Sequence, residues 1–189
     1  MNQNQTRQAH IGGLAFFAKS ELLSNEDVAR ALKRMAHEII EKNENLENVV
    51  LVALQRGGVS FGERLRDLLA EIGQQNVELG LIDVSFYRDD IDQRPVPESS
   101  ETRIPVSLED KTVILIDDVL FTGRTIRAAL NALSEWGRPR VIQLAVMVDR
   151  GHRELPIRPD YIGKNLPTSR DEAIVATLDG VWIGTRGEQ

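Results

Sequence analysis

The fold is decided by the stretch Val113-Ile-Leu-Ile-Asp-Asp-Val-Leu-Phe-Thr-Gly-Arg-Thr125, which changes its physical character twice. The uninterrupted apolar run Val113 to Ile116 predicts a strand that is buried on both faces, and two acids, Asp117 and Asp118, end it. A turn with hydroxyl groups and a glycine comes next. Apolar residues at helical spacing then predict a helix: Ile126, Ala129, Leu130 and Leu133. This order of strand, acids, loop and helix indicates a ligand site.

An earlier part of the chain repeats the same unit. Val49 to Leu54 predicts a second buried strand, the turn Gln55 to Gly58 follows it, and Gly73 is placed to end the next helix as a left-handed cap. Two such units predict parallel strands, and the loops after parallel strands meet at one edge of the sheet. We therefore expect the 55–58 turn and the 117–125 loop to face the same crevice. The apolar stripe of the helix comprises Phe61, Leu65, Leu68, Leu69 and Ile72.

The remaining segments complete an α/β prediction. Ser24 followed by Asp27 predicts a capped helix start, and an apolar stripe at helical spacing follows from Val28 to Ile40. Further strands are predicted at 79–86, 141–148, 173–178 and 180–185, and a polar segment reaches Thr168.

The predicted architecture is a single domain over residues 1–189. Its fold is a mostly parallel twisted sheet flanked by helices, with residues 1–10 flexible. Residues 84–106 form a charged, proline-containing excursion that is either disordered or a lid. The segment 149–185 includes a small hood over the C-terminal edge of the strands.

Composition narrows the class of protein. The 189 residues are 41% hydrophobic and 28% charged, and without cysteine they exclude disulfides and thiolate metal sites. No apolar run has the length of about 18 residues that a membrane span needs, and the polar start is no signal peptide. We expect a cytoplasmic protein with no membrane partner. The net charge of -6 argues against indiscriminate binding of polyanions but leaves a local RNA-binding patch open.

The 117–125 loop has the chemistry of a sugar-phosphate site. Thr122 and Thr125 supply hydroxyls, Gly123 allows a close backbone approach, and amides at a helix start favour an anion. The two acids can accept hydrogen bonds from sugar hydroxyls or bind hydrated Mg²⁺. Neither the dinucleotide fingerprint nor a P-loop is present. A phosphoacceptor-type Mg²⁺ site and an acidic turn without a role are the rival interpretations, and the Thr-Gly-Arg-Thr run weakens both.

At these residues the sequence resembles the type I phosphoribosyltransferases, which bind phosphoribosyl pyrophosphate (PRPP). The resemblance implies that Asp117 and Asp118 contact the ribose, that Arg56 and Gly57 bind pyrophosphate in a turn that often contains a non-proline cis peptide, and that the excursion is a flexible lid. Arg56, Arg88 and the two acids are the implied catalytic residues, and Mg²⁺ is carried by the substrate rather than held by the protein directly. The implied PRPP loop comprises Asp117, Asp118, Val119, Leu120, Phe121, Thr122, Gly123, Arg124 and Thr125.

Three separated segments, 84–90, 117–125 and 148–169, together resemble the bifunctional regulators of bacterial pyrimidine operons. This resemblance implies formation of UMP and pyrophosphate from uracil and PRPP. It also implies binding of an mRNA leader hairpin that depends on UMP or UTP and causes transcription attenuation. We expect uracil near Arg150 and Ile174, and a homodimer or higher homo-oligomer. The implied RNA-binding residues are Arg30, Lys33, Arg34, Arg153, Arg158 and Lys164.

Two alternatives to this function stay open. One is a purine-type phosphoribosyltransferase, because the 113–125 stretch contacts only the sugar phosphate. The other is an RNA-binding nucleotide sensor with vestigial enzyme activity.

Overall fold

The computed structural model describes residues 8–11, 14–85 and 101–187. Three-residue 3₁₀ turns follow α1 and α3. In chain order the elements are β1 (Gln8–Ile11), β2 (Leu14–Ser24), α1 (Asn25–Asn43), β3 (Val49–Leu54), α2 (Val59–Gly73), β4 (Glu78–Ile82), β5 (Thr112–Leu120), α3 (Arg124–Leu133), β6 (Val141–Asp149), β7 (Tyr161–Asn165), β8 (Ala173–Thr177) and β9 (Gly180–Arg186).

The central sheet is parallel, as predicted. Its strand order is β4-β3-β5-β6-β7, and each neighbouring pair runs in the same direction. Helices α1 and α2 pack on one face, where Leu51 and Ile114 lie in the core, and α3 packs on the other, where Val52 and Leu115 lie. Burial on both faces explains why β3 and the first half of β5 are continuous apolar runs.

The start of α1 and the end of α2 are each set by a capping residue. The Ser24 hydroxyl accepts a hydrogen bond from the Asp27 amide at 3.2 Å, and the Asp27 carboxylate accepts one from the Ser24 amide at 3.0 Å, so the predicted cap of α1 is confirmed. The predicted cap at Gly73 is wrong by one residue, because Gln74 takes the left-handed conformation with φ 53°. Gly73 instead makes room for Leu46, whose Cδ1 lies 2.9 Å from where a Cβ would be.

Strand β5 is longer than predicted. The acids do not end it, because Asp117 pairs with Val146 and the ladder with β6 continues to Leu120. Pairing with β3 stops at Ile116, so the acids lie where one neighbouring strand has ended and the other continues. In α3, Leu130 was predicted in the apolar stripe but is 37% exposed, since Ala128 and Ala132 are buried in its place.

The excursion is shorter than predicted. Strand β4 ends at Ile82 rather than at 86, and residues 101–106 return to the sheet. The backbones of Leu81 and Arg103 exchange two hydrogen bonds of 2.8 Å, and Ile104 is buried. The proposed lid therefore cannot include residues 101–106. Residues 86–100, with Arg88, lie outside the described residues.

One missed strand lies in the segment predicted as a polar loop. Strand β7 pairs with the second half of β6, and the buried Tyr161 hydroxyl donates to Gln143 at 2.7 Å. The Asn43 amide donates to the same hydroxyl at 3.1 Å. Burial raises the pKa of Tyr161 to about 12. Only two side chains of β7 are apolar, so alternation gave no signal.

The predicted hood exists, but its composition differs. The pair β8 and β9 is confirmed, and it belongs to an antiparallel sheet of order β1-β2-β9-β8, of which the N-terminal strands supply half. The prediction of a flexible start is wrong for residues 8–10, which pair with β2. Residues 1–7 lie outside the described part. Among the described residues, no helix is both long and apolar enough to cross a membrane.

Candidate active site

Two loops meet at the carboxyl ends of β3 and β5, as the strand–loop–helix repeat predicted. A Cβ built on Gly57 would lie 2.4 Å from the carboxyl carbon of Asp118, so the 55–58 turn directly touches the acids of β5. A Cβ on Gly58 would lie 2.2 Å from the carbonyl oxygen of Ile116. Only residues without a side chain allow this approach.

The turn is anchored to its own strand and to β4. The Gln55 amide donates to the Ile82 carbonyl at 2.9 Å, and the Gly58 amide donates to the Leu54 carbonyl at 3.0 Å. The Gln55–Arg56 peptide bond is cis, as the family resemblance implied. The Arg56 side chain is exposed.

The paired acids differ in exposure and in hydrogen bonding: Asp117 is buried, and Asp118 is partly exposed. Asp117 is 7% exposed, and its carboxylate accepts a hydrogen bond from the Asp118 amide at 3.0 Å. The Asp118 carboxylate accepts one from the Val119 amide at 2.7 Å. Burial raises the pKa of Asp118, and hydrogen bonds from Asp117 and from backbone amides counteract this only in part. Each carboxylate retains lone pairs that can accept from hydroxyl groups.

The loop after β5 has the geometry of an anion site. Gly123 has φ 93°, a conformation that disfavours residues with a Cβ, and it precedes the first residue of α3. The Thr122 hydroxyl accepts a hydrogen bond from the Arg124 amide at 3.4 Å. The first amides of α3 carry the positive end of the helix dipole, which stabilises a phosphate.

Arg150, predicted near uracil, joins this loop to the hood. It is 4% exposed, and its guanidinium lies 4.0 Å from the centre of the Phe121 ring. It also donates to the Thr168 hydroxyl at 3.0 Å and to the carbonyls of Ser169 and Glu172 at 2.9 and 2.7 Å. Burial lowers the pKa of Arg150, and the charge of Arg186 lowers it further.

The second residue predicted near uracil, Ile174, is buried in β8. The Glu172 carbonyl that Arg150 holds lies next to the start of this strand. The structure therefore brings both predicted uracil residues to one end of the hood.

Two residues that were not among the predicted site residues, Glu154 and His152, also shape the site. Glu154 accepts from Arg124 Nε at 2.8 Å, and its own amide donates to the Thr122 carbonyl at 3.0 Å. His152 has φ 61°, packs edge-on to Phe121 and lies 2.5 Å from the Thr168 carbonyl. Both lie in the 148–169 segment, which the family resemblance singled out as a whole without giving either residue a role beside the loop after β5.

The predicted RNA-binding residues fall into two environments. Arg34 and Lys164 line one cleft of about 660 Å³ between α1 and β7, where Arg34 donates to the carbonyls of Ile162 and Gly163. Arg30 pairs with Asp27 at 2.6 Å on the same helix, and Lys33 and Arg158 are exposed. Arg153, in contrast, is half-buried and donates to the carbonyls of Phe121, in the loop after β5, and Ile157. The structure therefore places Arg153 in another environment than the cleft.

Asp117 and Asp118 are the carboxylates of the site that a metal ion would contact. Within the described ranges, no group of three or more His, Asp or Glu side chains is placed to hold a metal ion. Carboxylate oxygens such as those of Asp117 and Asp118 are of the type that hydrated Mg²⁺ accepts as partners.

Comparisons with known proteins identify relatives over most of the chain. The phosphoribosyl transferase domain model matches residues 18–178. The chain is 49% identical over 170 residues to the bifunctional protein PyrR of Roseiflexus sp. RS-1, covering 89% of this chain and 93% of the relative. It is 50% identical over 161 residues to that of Deinococcus radiodurans, covering 85% and 88%. For Geobacter sp. M21 the identity is 52% over 162 residues, covering 84% and 90%.

Solved structures support the fold. The hypoxanthine phosphoribosyltransferase of Trypanosoma cruzi superposes with a TM-score of 0.71 at 20% identity, covering 89% of this chain and 92% of that one. The enzyme of Staphylococcus aureus gives 0.67 at 22% identity, covering 90% and 93%. At such identities the likeness concerns the fold alone, and it confirms the predicted fold class.

Proposed function

Because this chain belongs to the phosphoribosyl transferase family and, within it, to the bifunctional PyrR proteins, we propose two linked functions. It transfers the phosphoribosyl group of PRPP to uracil, which yields UMP and pyrophosphate. It also regulates pyrimidine genes by binding an mRNA leader hairpin in a manner that depends on uridine nucleotides. The observation that carries the enzymatic half is the contact of Gly57 with Asp118, which joins a pyrophosphate turn to a ribose site.

The reaction breaks the bond between ribose C1 and the pyrophosphate oxygen, and it forms a bond from C1 to a uracil ring nitrogen that loses its proton. Positive charge develops on the sugar, so catalysis consists mainly of placement and charge balance. Asp117 and Asp118 orient the ribose by accepting from its hydroxyls. Arg56 and the Gly57 amide bind the departing pyrophosphate. Mg²⁺, when bound with PRPP, neutralises pyrophosphate charge.

The 5′-phosphate binds the loop after β5. The residues assigned to it are Val119, Leu120, Phe121, Thr122, Gly123, Arg124 and Thr125, of which the two threonine hydroxyls and the amides of Phe121, Thr122 and Gly123 donate to the phosphate. Arg88 is assigned to charge balance over pyrophosphate, although it lies outside the described residues.

Uracil binds beside Arg150 and the backbone of Ile174. Strand β8 stands last in the order of its sheet, so among the described residues one edge pairs with β9 and the other edge offers backbone groups. Uracil has alternating acceptors and donors along one side, which suit such an edge. Arg150 holds the 168–172 segment in place, because it donates to the Thr168 hydroxyl and to the carbonyls of Ser169 and Glu172 just before β8.

The alternatives are weaker but testable. The hypoxanthine enzymes share the fold at 19–22% identity, whereas the relatives near 50% identity are bifunctional PyrR proteins. A purine-type activity therefore has less support. A nucleotide sensor with vestigial activity would retain the hairpin binding and lose the transfer reaction.

Pyrophosphate release with each free base tests the enzymatic half. With PRPP and Mg²⁺ we expect release and UMP formation with uracil, and loss of both when EDTA is added. Hypoxanthine and guanine serve as competitors and as substrates. Faster release with a purine would establish the purine alternative, and no release with any base would leave only the sensor.

The regulatory half has a candidate surface in the cleft of Arg34 and Lys164. Both are exposed cations, Arg30 lies one helical turn before Arg34, and Lys33 and Arg158 are also exposed. RNA duplexes are contacted mainly at phosphates and 2′-hydroxyls, which such cations suit. We assign a homodimer or higher homo-oligomer, because symmetric pairing would double this surface. A cytoplasmic location follows from the mRNA and PRPP partners.

Neutralising the cleft is expected to weaken hairpin binding. Arg34→Gln and Lys164→Gln should each reduce the slope of log affinity against log salt by about one, since each removes one phosphate contact. Filter binding with the leader hairpin, with and without UMP, measures this. Arg66→Gln is the matched control, because Arg66 is an exposed arginine of α2 that pairs with Asp67 at 3.0 Å, much as Arg34 pairs with Glu38 of its own helix at 2.6 Å. Equal slopes for all three variants would remove the cleft from the RNA surface.

A further inference from the structure

Residues 119–125, to which the 5′-phosphate is assigned, are called the phosphate loop. Three of its consecutive carbonyls accept hydrogen bonds from the segment after β6. The Leu120 carbonyl accepts from the Arg150 amide at 3.1 Å, and the Thr122 carbonyl accepts from the Glu154 amide at 3.0 Å. Between them, the Phe121 carbonyl accepts from Arg153 Nη1 at 2.6 Å. The loop is therefore held along its whole turn from one side.

These bonds determine where the loop amides point. In a trans peptide the carbonyl of one residue and the amide of the next point in opposite directions. Because the carbonyls of residues 120–122 face the 150–154 segment, the amides of Phe121, Thr122 and Gly123 face the other side. Successive amides on one side form a concave anion site, and the start of α3 continues it.

Among these three hydrogen bonds, the one from Arg153 is donated by a side chain. Two of the three donors are backbone amides, which almost any residue supplies, whereas the bond to Phe121 needs a guanidinium. Arg153 also donates to the carbonyls of Ile157 at 2.9 Å and Gly151 at 3.2 Å, and it pairs with the carboxylate of Asp149. Its side chain is 21% exposed. The planar fork of arginine can serve these separate acceptors at once, and a lysine ammonium cannot.

We propose that Arg153 is a positioning residue of the phosphate loop: it holds the Phe121 carbonyl so that the neighbouring amides face the 5′-phosphate of the substrate. This role rests on the proposed function, and it differs from the RNA contact that the sequence predicted for Arg153. Asp149 anchors the guanidinium to the end of β6, where Asp149 pairs with Leu120 of β5. The phosphate loop is thus positioned by the strand beside it through one side chain.

Ribose 5-phosphate is the probe for the first measurement. Titration of the wild-type protein, followed by amide NMR, should shift the signals of Phe121, Thr122 and Gly123. In Arg153→Gln the affinity for ribose 5-phosphate should fall about tenfold, because a hydrogen bond from a charged donor is lost. Arg153→Lys should lose about threefold, since an ammonium replaces one of several bonds. Arg66→Gln, the exposed arginine on α2, should match the wild type.

Steady-state kinetics separate positioning from general damage. We expect the KM for PRPP to rise about tenfold in Arg153→Gln, with the KM for uracil and kcat changed less than about twofold. If the Gln variant unfolds, Arg153→Lys and Asp149→Asn, which frees one arm of the guanidinium, carry the test with the same direction. A spectrum with native dispersion shows that each variant is folded.

The outcomes distinguish the inference from the proposed function. A wild-type protein that does not bind ribose 5-phosphate would overturn the proposed function, and this inference with it. Wild-type binding that is retained in folded Arg153→Gln and Arg153→Lys would overturn the inference alone. Unchanged ribose 5-phosphate affinity together with weaker hairpin binding would return Arg153 to the RNA surface.

Discussion

Gly57→Ala is expected to lower kcat/KM for PRPP by about a hundredfold while the protein stays folded. The added Cβ would lie 2.4 to 2.5 Å from all three atoms of the Asp118 carboxyl group. These atoms end a side chain, so the carboxylate can rotate away and the main chain is spared. The rotation removes Asp118 from the ribose, and a misplacement of about 1 Å at such a site can cost about a hundredfold.

The neighbouring glycine is the matched control for this prediction. A Cβ on Gly58 would lie 2.2 Å from the Ile116 carbonyl oxygen and 3.0 Å from the Leu54 amide nitrogen, which belong to the two central strands. Neither backbone can move without loss of pairing, so Gly58→Ala should reduce the free energy of unfolding by about 3 kcal/mol. Urea denaturation and PRPP kinetics on both variants give the comparison. Full activity of Gly57→Ala would contradict a role of this contact in catalysis.

The central strands were predictable because their signal is local. Val49–Leu54 and residues 113–116 of β5 are apolar throughout, and such runs are typical of strands that are buried on both faces in a parallel sheet. The same logic placed the 55–58 turn and the 117–125 loop at one crevice. Parallel topology puts both loops at the same edge whatever their sequences are.

The edges of the fold were not predictable in this way. Strand β7 forms because it pairs with the second half of β6. The hood depends on pairing between β2 and β9, which lie more than 150 residues apart in the chain. Such pairings depend on the rest of the structure, since strand propensity is largely a matter of context. The cap of α2 at Gln74 shows the same limit, because the side chains of Leu46 and Ile40, which pack where a Cβ of Gly73 would lie, come from other parts of the chain.

The residues of the candidate site that form one sequence motif were predictable, but the residues that hold this motif in position were not. Asp117, Asp118 and Gly123 lie within one continuous stretch. Their residue types alone indicate acceptors for sugar hydroxyls and a close approach of the backbone to a ligand. Arg153 carries no such signal. The family resemblance implied an RNA contact for it, and only the position of the Phe121 carbonyl shows what it holds. Bonds from a distant segment to backbone carbonyls leave no pattern in the sequence.

Asp118→Asn is expected to lower kcat/KM for PRPP by about a thousandfold and to raise the melting temperature. An amide in place of the carboxylate turns half of the acceptor into a donor, so a ribose hydroxyl loses a charge-assisted partner in the transition state. Asp117→Asn should have the same sign on activity.

The stability prediction follows from the direction of the pKa shift. Burial raises the pKa of Asp118 above its unfolded value. The native state therefore binds the proton more tightly, and this contribution to stability is present below the unfolded pKa and lost as the pH rises through the folded pKa. At neutral pH the ionised carboxylate costs stability, which an asparagine does not, so the folded protein trades stability for a charged ligand to the ribose.

The same shift predicts the acid limb of the activity. If the ionised form of Asp118 binds the ribose, kcat/KM should fall on acidification at a higher pH than an ordinary aspartate would give. The residual activity of Asp118→Asn should lack that limb. Thermal melting and a pH profile on both proteins measure the two effects. A variant that is both less stable and unchanged in its pH profile would show that Asp118 supports the strand rather than the substrate, because only a carboxylate retained for function gives stability and activity opposite signs.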